Sequence, residues 1–293
     1  MSEPGQEGFD APRHFDAKKA GAYDEYIPRV IPGYETLHQL TSNIIGVETG
    51  GHGRLLVIGA GTGTDAINIC RSHPGLSATG CDPSADMLAV AKRKIAEEGL
   101  EDRIDLKQGD VGELPDNPVF DAATMILVMH FIADGGGKKK LLDAVATRLK
   151  PGAPLVLADM FGDRDSPEYK DQEAVWRNLQ IAAGADPQDV EKSICHAARD
   201  THPITEYRLS ELLNEAGFEI ITLFFRSLMF GGWLARKKPA NPRAHPPSEM
   251  EIESASSWSP VRIPTRLFQN PGPCFCGPGG PGIRPGSARR DKP

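Results

Sequence analysis

Little in this chain suits an oxidising compartment or a membrane. Its 293 residues hold five cysteines, at positions 70, 81, 195, 274 and 276. They form no paired framework, and Cys70 and Cys81 fall in expected core elements, so they are read as reduced thiols. Cys274-Phe-Cys276 is too short and too isolated to be a metal site without further ligands, and no metal is expected. No apolar run approaches the roughly 18 residues a membrane span needs. The polar stretch from Met1 to Phe15 lacks the apolar core of a secretory signal. These absences point to a cytoplasmic protein with no membrane partner.

Positive charge is scarce where a fold is expected. The formal net charge is −7, yet residues 239–293 carry seven Lys/Arg against four Asp/Glu, which leaves about −10 on the remainder. A body this acidic lacks the electrostatic footprint of a nucleic-acid binder. Lys138-Lys-Lys140 is its only tight basic cluster and reads as a solvated helix start. Residues 239–293 also hold 12 of the 25 prolines. So few regular elements can form there that a disordered Pro/Gly-rich tail is expected, after a flexible N-terminus at 1–14 and one folded domain at 15–238.

What is present in that domain is alternation. Phe15 to Gly46 carries apolar residues at helical spacing, broken by Pro28 and Pro32, and reads as two helices with a kinked joint. From Leu55 strands and helices alternate: Leu55–Ile58, Thr64–Ser72, Ala78–Cys81, Ala85–Glu98, Ile104–Gln108, Ala122–Leu127, Lys138–Lys150 and Leu155–Asp159. This order predicts an α/β, Rossmann-like doubly wound, mainly parallel sheet. Pro167 to Ala198 is helical with no strand partner. A helix Thr205–Ala216 and strands Glu219–Phe225 and Leu228–Ala235 follow, predicting a C-terminal antiparallel hairpin. The helices within 15–50 and 163–200 are expected to form a lid over a ligand.

The ligand is read from Arg54-Leu-Leu-Val-Ile-Gly-Ala-Gly-Thr-Gly-Thr-Asp65, an apolar strand delivering a glycine turn. Gly59, Gly61 and Gly63 have no Cβ to keep a ligand from the backbone, and a helix start follows. A dinucleotide fingerprint wants glycine or alanine at the fifth position after the first glycine. That position is Thr64, with the last glycine one residue early, so the G-x-G-x-G spacing fits S-adenosylmethionine better than NAD. Nineteen residues after Gly63, Asp82 ends a second strand, where a carboxylate can chelate a ribose diol. Pro83 and the N-cap Ser84 follow, and Met87 opens an amphipathic stripe.

These residues, with Gly80-Cys-Asp-Pro-Ser-Ala-Asp-Met-Leu88, Gln108-Gly-Asp110, Phe120-Asp-Ala122, Leu149-Lys-Pro-Gly152 and Ala216-Gly-Phe218, carry a resemblance. From about Phe15 to Lys237 the chain resembles the class I S-adenosylmethionine-dependent methyltransferases. The resemblance implies a seven-stranded sheet ending in a reversed hairpin, Asp110 at the adenine amino group and Val111 donating a backbone N–H. Phe15-Asp-Ala, Ile31-Pro-Gly-Tyr34 and Phe230-Gly-Gly-Trp233 are similar to the carboxy-S-adenosylmethionine synthase branch and its methyltransferase relatives, which implies that Tyr34 touches the cofactor. The expected cofactor set is Tyr34, Gly59, Ala60, Gly61, Gly63, Asp82, Pro83, Met87, Asp110, Val111 and Ile126.

Two departures weigh on that branch. Val57 stands where the family has an acid for the methionine amino group. The region Val190 to His196 offers only Lys192 where the synthases have an arginine for the extra carboxylate, and lysine lacks arginine's bidentate fork. Ordinary methyl transfer to an oxygen or nitrogen of a small molecule is therefore the leading expectation. A carboxy-cofactor synthase serving tRNA wobble uridine modification and a non-catalytic cofactor-binding scaffold are the alternatives. His130, at the end of the fourth strand, is placed either as a proton acceptor or as a backbone-bonded structural residue. Tyr23, Tyr26, Arg29 and His202 are the substrate candidates, and the apolar lid would equally serve a homodimer.

Overall fold

The computed structural model describes residues 10–239. The tail expected at 239–293 lies outside them from 240 on, as do residues 1–9 of the expected flexible N-terminus. Asp10 caps a helical turn, α1 (Ala11–His14), with its carboxylate accepting the Arg13 N–H. Ordered structure thus begins before Phe15.

Seven strands form one sheet: β1 (His52–Ile58), β2 (Gly75–Asp82), β3 (Ile104–Gln108), β4 (Ala122–Ile126), β5 (Pro154–Met160), β6 (Phe218–Ser227) and β7 (Phe230–Lys237). Their order is β3-β2-β1-β4-β5-β7-β6. β4 and β5 are buried along their whole lengths because helices cover both faces, which is why they read as apolar runs without alternation. The first five strands are parallel, and β7 runs antiparallel to both β5 and β6. Only one strand of the final hairpin is therefore reversed, and β6 at the edge points the same way as β5. The chain leaves the β1–β2–β3 half and crosses to β4 beside β1, and this reversal opens a crevice beyond the carboxyl ends of β1 and β4.

Helices α4 (Thr64–Ser72), α5 (Ala85–Glu97), α6 (Gly137–Arg148) and α9 (Glu206–Glu215) return the chain between strands. The remaining four, α2 (Ala17–Val30), α3 (Tyr34–Thr49), α7 (Pro167–Ala182) and α8 (Pro187–Asp200), are the N-terminal and insert helices. Pro28 lies inside α2 rather than ending it. One missing donor in the last turn is tolerated, and the break falls at Gly33, whose φ of +83° a side chain would disfavour. The insert divides into two helices, with Ser166 and Asp186 capping their starts ahead of a proline.

Polar contacts tie the helices to one another. Trp176 Nε1 of α7 donates to the Val30 carbonyl at 2.5 Å, and the Tyr26 hydroxyl meets Ser193 Oγ of α8 at 2.9 Å. Thr62, in the glycine turn, donates to Asp24 of α2 at 2.5 Å, and Ser84 Oγ donates to the Phe15 carbonyl at 2.8 Å. The N-terminal segment is thereby joined to the turns that end β1 and β2. Among the described residues no helix is long and apolar enough to cross a membrane.

Candidate active site

Two cavities lie over the carboxyl ends of the strands. The larger, of about 890 Å³, follows β1, β2, the turn after β3, and β4. Gly59, Gly61, Asp82, Pro83, Met87, Asp110, Val111 and Ile126 line it, so eight of the eleven expected cofactor residues come together. Asp82 presents an oriented carboxylate to it. Its Oδ2 accepts the Gly61 N–H at 2.9 Å and its Oδ1 accepts the Ser84 N–H at 2.8 Å. Each oxygen keeps a second lone pair for a hydroxyl. Burial holds the Asp82 carboxyl above its ordinary value, against the pull of those two N–H donors. Asp110 caps a short 3-10 turn at Val111–Glu113, while the Glu113 carboxylate accepts the Asp110 N–H at 2.9 Å. A desolvated, oriented carboxylate beside a cavity of this size suits a nucleoside diol, and the residues fit S-adenosylmethionine.

Three expected cofactor residues stand elsewhere. Gly63 starts α4 with φ +83°, and a Cβ there would meet Ala91 at 3.2 Å, so its smallness serves helix packing. Ala60 is buried, its N–H bonded to the Cys81 carbonyl at 3.0 Å. Tyr34 lines neither cavity. It is buried edge-on against His38, the ring centroids 4.3 Å apart, and burial raises the phenol well above its ordinary range.

The second cavity, of about 560 Å³, is roofed by α2 and α8 over the ends of β4 and β5. His130, Tyr23 and Tyr26 line it. Arg29 is exposed and lines neither cavity, and its neighbour Asp24 pairs with Lys94 instead. His202 lines the larger cavity, not this one. Phe15, Tyr23, Leu127, Phe131 and Arg199 line both cavities, forming a common wall. Leu127 adopts φ +59°, in the left-handed region disfavoured for side chains, where the chain turns off β4 between the two spaces.

His130 is buried, and its Nδ1 hydrogen-bonds Asp159 Oδ1 at the end of β5. The other Asp159 oxygen accepts the His130 backbone N–H at 3.0 Å, and Oδ1 also accepts the Met160 N–H at 2.7 Å. An ionised carboxylate only accepts, so Nδ1 carries the proton and Nε2 is the nitrogen left for the cavity. Lys138, fully buried near the start of α6, donates to the Met129 carbonyl at 2.7 Å. Desolvation lowers its ammonium from the ordinary value, while the charges of Asp159 and Asp134 favour the charged form. Reading the sequence missed Asp159 and Lys138. Asp159 carries the signal that marked Asp82, an acid closing a buried strand, here Leu155-Val-Leu-Ala-Asp159. Lys138 carried none, because a Lys-Lys-Lys run looks solvated.

A sheet with one reversed strand, a glycine turn and a strand-end acid beside a cavity is the architecture of the class I S-adenosylmethionine-dependent methyltransferases. A protein-family model described as a methyltransferase domain matches residues 56–155. The chain is an enzyme of that class, and S-adenosylmethionine is its cofactor. It is 23% identical over 223 residues to the carboxy-S-adenosyl-L-methionine synthase of Campylobacter hominis, a match covering 76% of this chain and 94% of that protein. An O-methyltransferase family protein from Burkholderia thailandensis shares the fold with a TM-score of 0.56 and 16% identity, over 80% of this chain and 64% of the other. The mitomycin 7-O-methyltransferase MmcR does so at 0.56 and 18%, over 78% and 60%. The chain thus spans less than two thirds of the length of either structure.

Proposed function

We propose that the enzyme transfers a methyl group to the hydroxyl of a small, largely apolar acceptor, with His130 as the base. The observation that carries this reading is the buried His130–Asp159 pair on the wall of a cavity that shares five residues with the cofactor cavity. When bound, S-adenosylmethionine supplies a methyl carbon activated by a positive sulfur. Asp82 and Asp110 would hold its ribose and adenine, and Gly59, Pro83, Met87, Val111 and Ile126 would enclose it. His130 Nε2 takes the proton that the acceptor oxygen gives up. Asp159 stabilises the resulting imidazolium and fixes its orientation. Tyr23 separates the two cavities, and α2 and α8 exclude water from the acceptor. Buried free thiols at Cys70 and Cys81 support a reducing, cytoplasmic setting.

The test is an acceptor screen that follows S-adenosylhomocysteine release by wild type and His130→Gln. Release with hydroxyl acceptors that collapses in the variant is the expected result. Equal release from both proteins sinks the assignment of the base. One second reading has support: the match to the synthase covers nearly all of that protein, and Arg199 lines both cavities, where it could hold a carboxyl on the cofactor. Its fork is taken by Asp200, at 2.6 and 2.9 Å, which favours methyl transfer. Mass spectrometry of the cofactor after incubation with prephenate discriminates, since only a synthase returns a carboxylated cofactor.

A further inference from the structure

The acceptor cavity has a chemical polarity that the acidic body would not lead one to expect. Its inner wall is aromatic, with Phe15, Tyr23, Trp176 and Phe230 beside His130. Its rim is basic. Lys19 from the first turn of α2 and His196 and Arg199 from the end of α8 line the cavity together with His14. Lys19, His196 and Arg199 all act on the His14 imidazole, so the four basic groups sit close together. Against them stands Asp200, already forked by Arg199 and 3.8 Å from His14. The other lining acid, Asp189, is 2.8 Å from the Lys192 ammonium. Lys19 and His196 have no ion pair and no side-chain hydrogen bond among the described residues. Both are exposed, so packing does not account for them.

Basic groups gathered at one mouth of a protein whose body is otherwise acidic, with Lys19 and Arg199 the charged ones among them, focus the field on whatever enters there. An apolar slot ending in donors that lack an acceptor is complementary to a flat ring with an anionic end. We infer that the acceptor is an aromatic hydroxy acid, its ring among Phe15, Tyr23, Trp176 and Phe230 and its carboxylate held by Lys19 and His196. The inference rests on the methyl-transfer reading for the role of the hydroxyl, while the carboxylate subsite stands on the rim alone.

A matched pair of probes separates the two. 6-Hydroxy-2-naphthoate and 2-naphthol share ring and hydroxyl and differ in the carboxylate. Their binding to the full chain saturated with S-adenosylhomocysteine is measured by calorimetry, beside the Lys19→Gln/His196→Gln variant. The naphthoate should bind about tenfold tighter than the naphthol, and the variant should erase that difference while leaving the naphthol unchanged. Equal affinities in the wild type, including no detectable binding of either, overturn the inference, as does a preference that survives in the variant. Preferential binding without turnover keeps the subsite and counts only against methyl transfer.

Discussion

The larger cavity, proposed for the cofactor, and the smaller one, proposed for the acceptor, meet at Phe15, Tyr23, Leu127, Phe131 and Arg199, yet they are built from different materials. The first is walled by strand ends and the turns that follow them, and its key carboxylate is oriented by backbone N–H groups two residues on and one strand away. The second is roofed by helices from two stretches separated by most of the sheet, held by single contacts such as Trp176 to Val30 and Tyr26 to Ser193. A site made of backbone and strand ends is set by the fold itself. A site made of helix faces can change its side chains without disturbing the sheet, which is how one fold serves many acceptors.

The sharpest way to break this comparison is to remove the chemistry on the acceptor side alone. His130→Gln should lower kcat by about 10²- to 10⁴-fold, the usual range for a general base, with S-adenosylmethionine affinity unchanged by calorimetry. Asp159→Asn should act in the same direction, because an amide cannot reproduce the acceptor that fixes the imidazole. An equal loss of cofactor affinity in either variant would show that the two cavities are not separable.

On the cofactor side, Asp82→Ala should weaken S-adenosylmethionine on the order of 10- to 100-fold, the range for hydrogen bonds to a charged group. The same calorimetric titration measures it. Retained affinity would remove Asp82 from the centre of the site.

The two tyrosines read from the sequence sharpen the contrast further. Tyr23→Ala opens the wall common to both cavities and should raise the apparent constants for both ligands several-fold. Tyr34→Phe, away from both, should leave cofactor affinity within about twofold in the same calorimetric titration. The opposite ranking would return Tyr34 to the cofactor.

The smallest effect is a pH dependence at the basic rim. Burial, with the Lys19 charge adding to it, holds the folded His14 imidazole below its ordinary 6.5. The unfolded chain therefore binds more protons between the lowered value and 6.5, and stability rises with pH across that window. The penalty is fully present below the window and gone above it. His14→Gln should flatten that slope in melts taken from about pH 5 to 7. An unchanged slope would assign it to other groups, of which His202, lowered mainly by burial, is one.

Much of the first cavity was legible because its determinants are local. The run into Gly59, the acid at Asp82 and the cap at Ser84 are short patterns; the helix Thr64–Ser72 follows from the glycine turn before it, and Ala85–Glu97 from its cap and apolar spacing. Sequence reasoning failed where a residue's role depends on which way a helix faces. Arg29 and Tyr23 lie on the same helix, and only packing against α5 and α3 decides that Tyr23 turns inward and Arg29 to solvent. Lys138 and Lys140 differ by two positions, yet one is fully buried beneath the Met129 carbonyl and the other lines the cofactor cavity.

The sequence by itself determined the order of strands and helices, the glycine turn and the strand-end acid, since each is set by neighbours a few residues away. Only the tertiary structure joined His130 to Asp159, 29 residues on, and brought Lys19 to His196 across the cavity mouth. Such pairings depend on sheet order and helix docking, which are settled when buried surface is shared between distant segments, and a linear pattern does not record them.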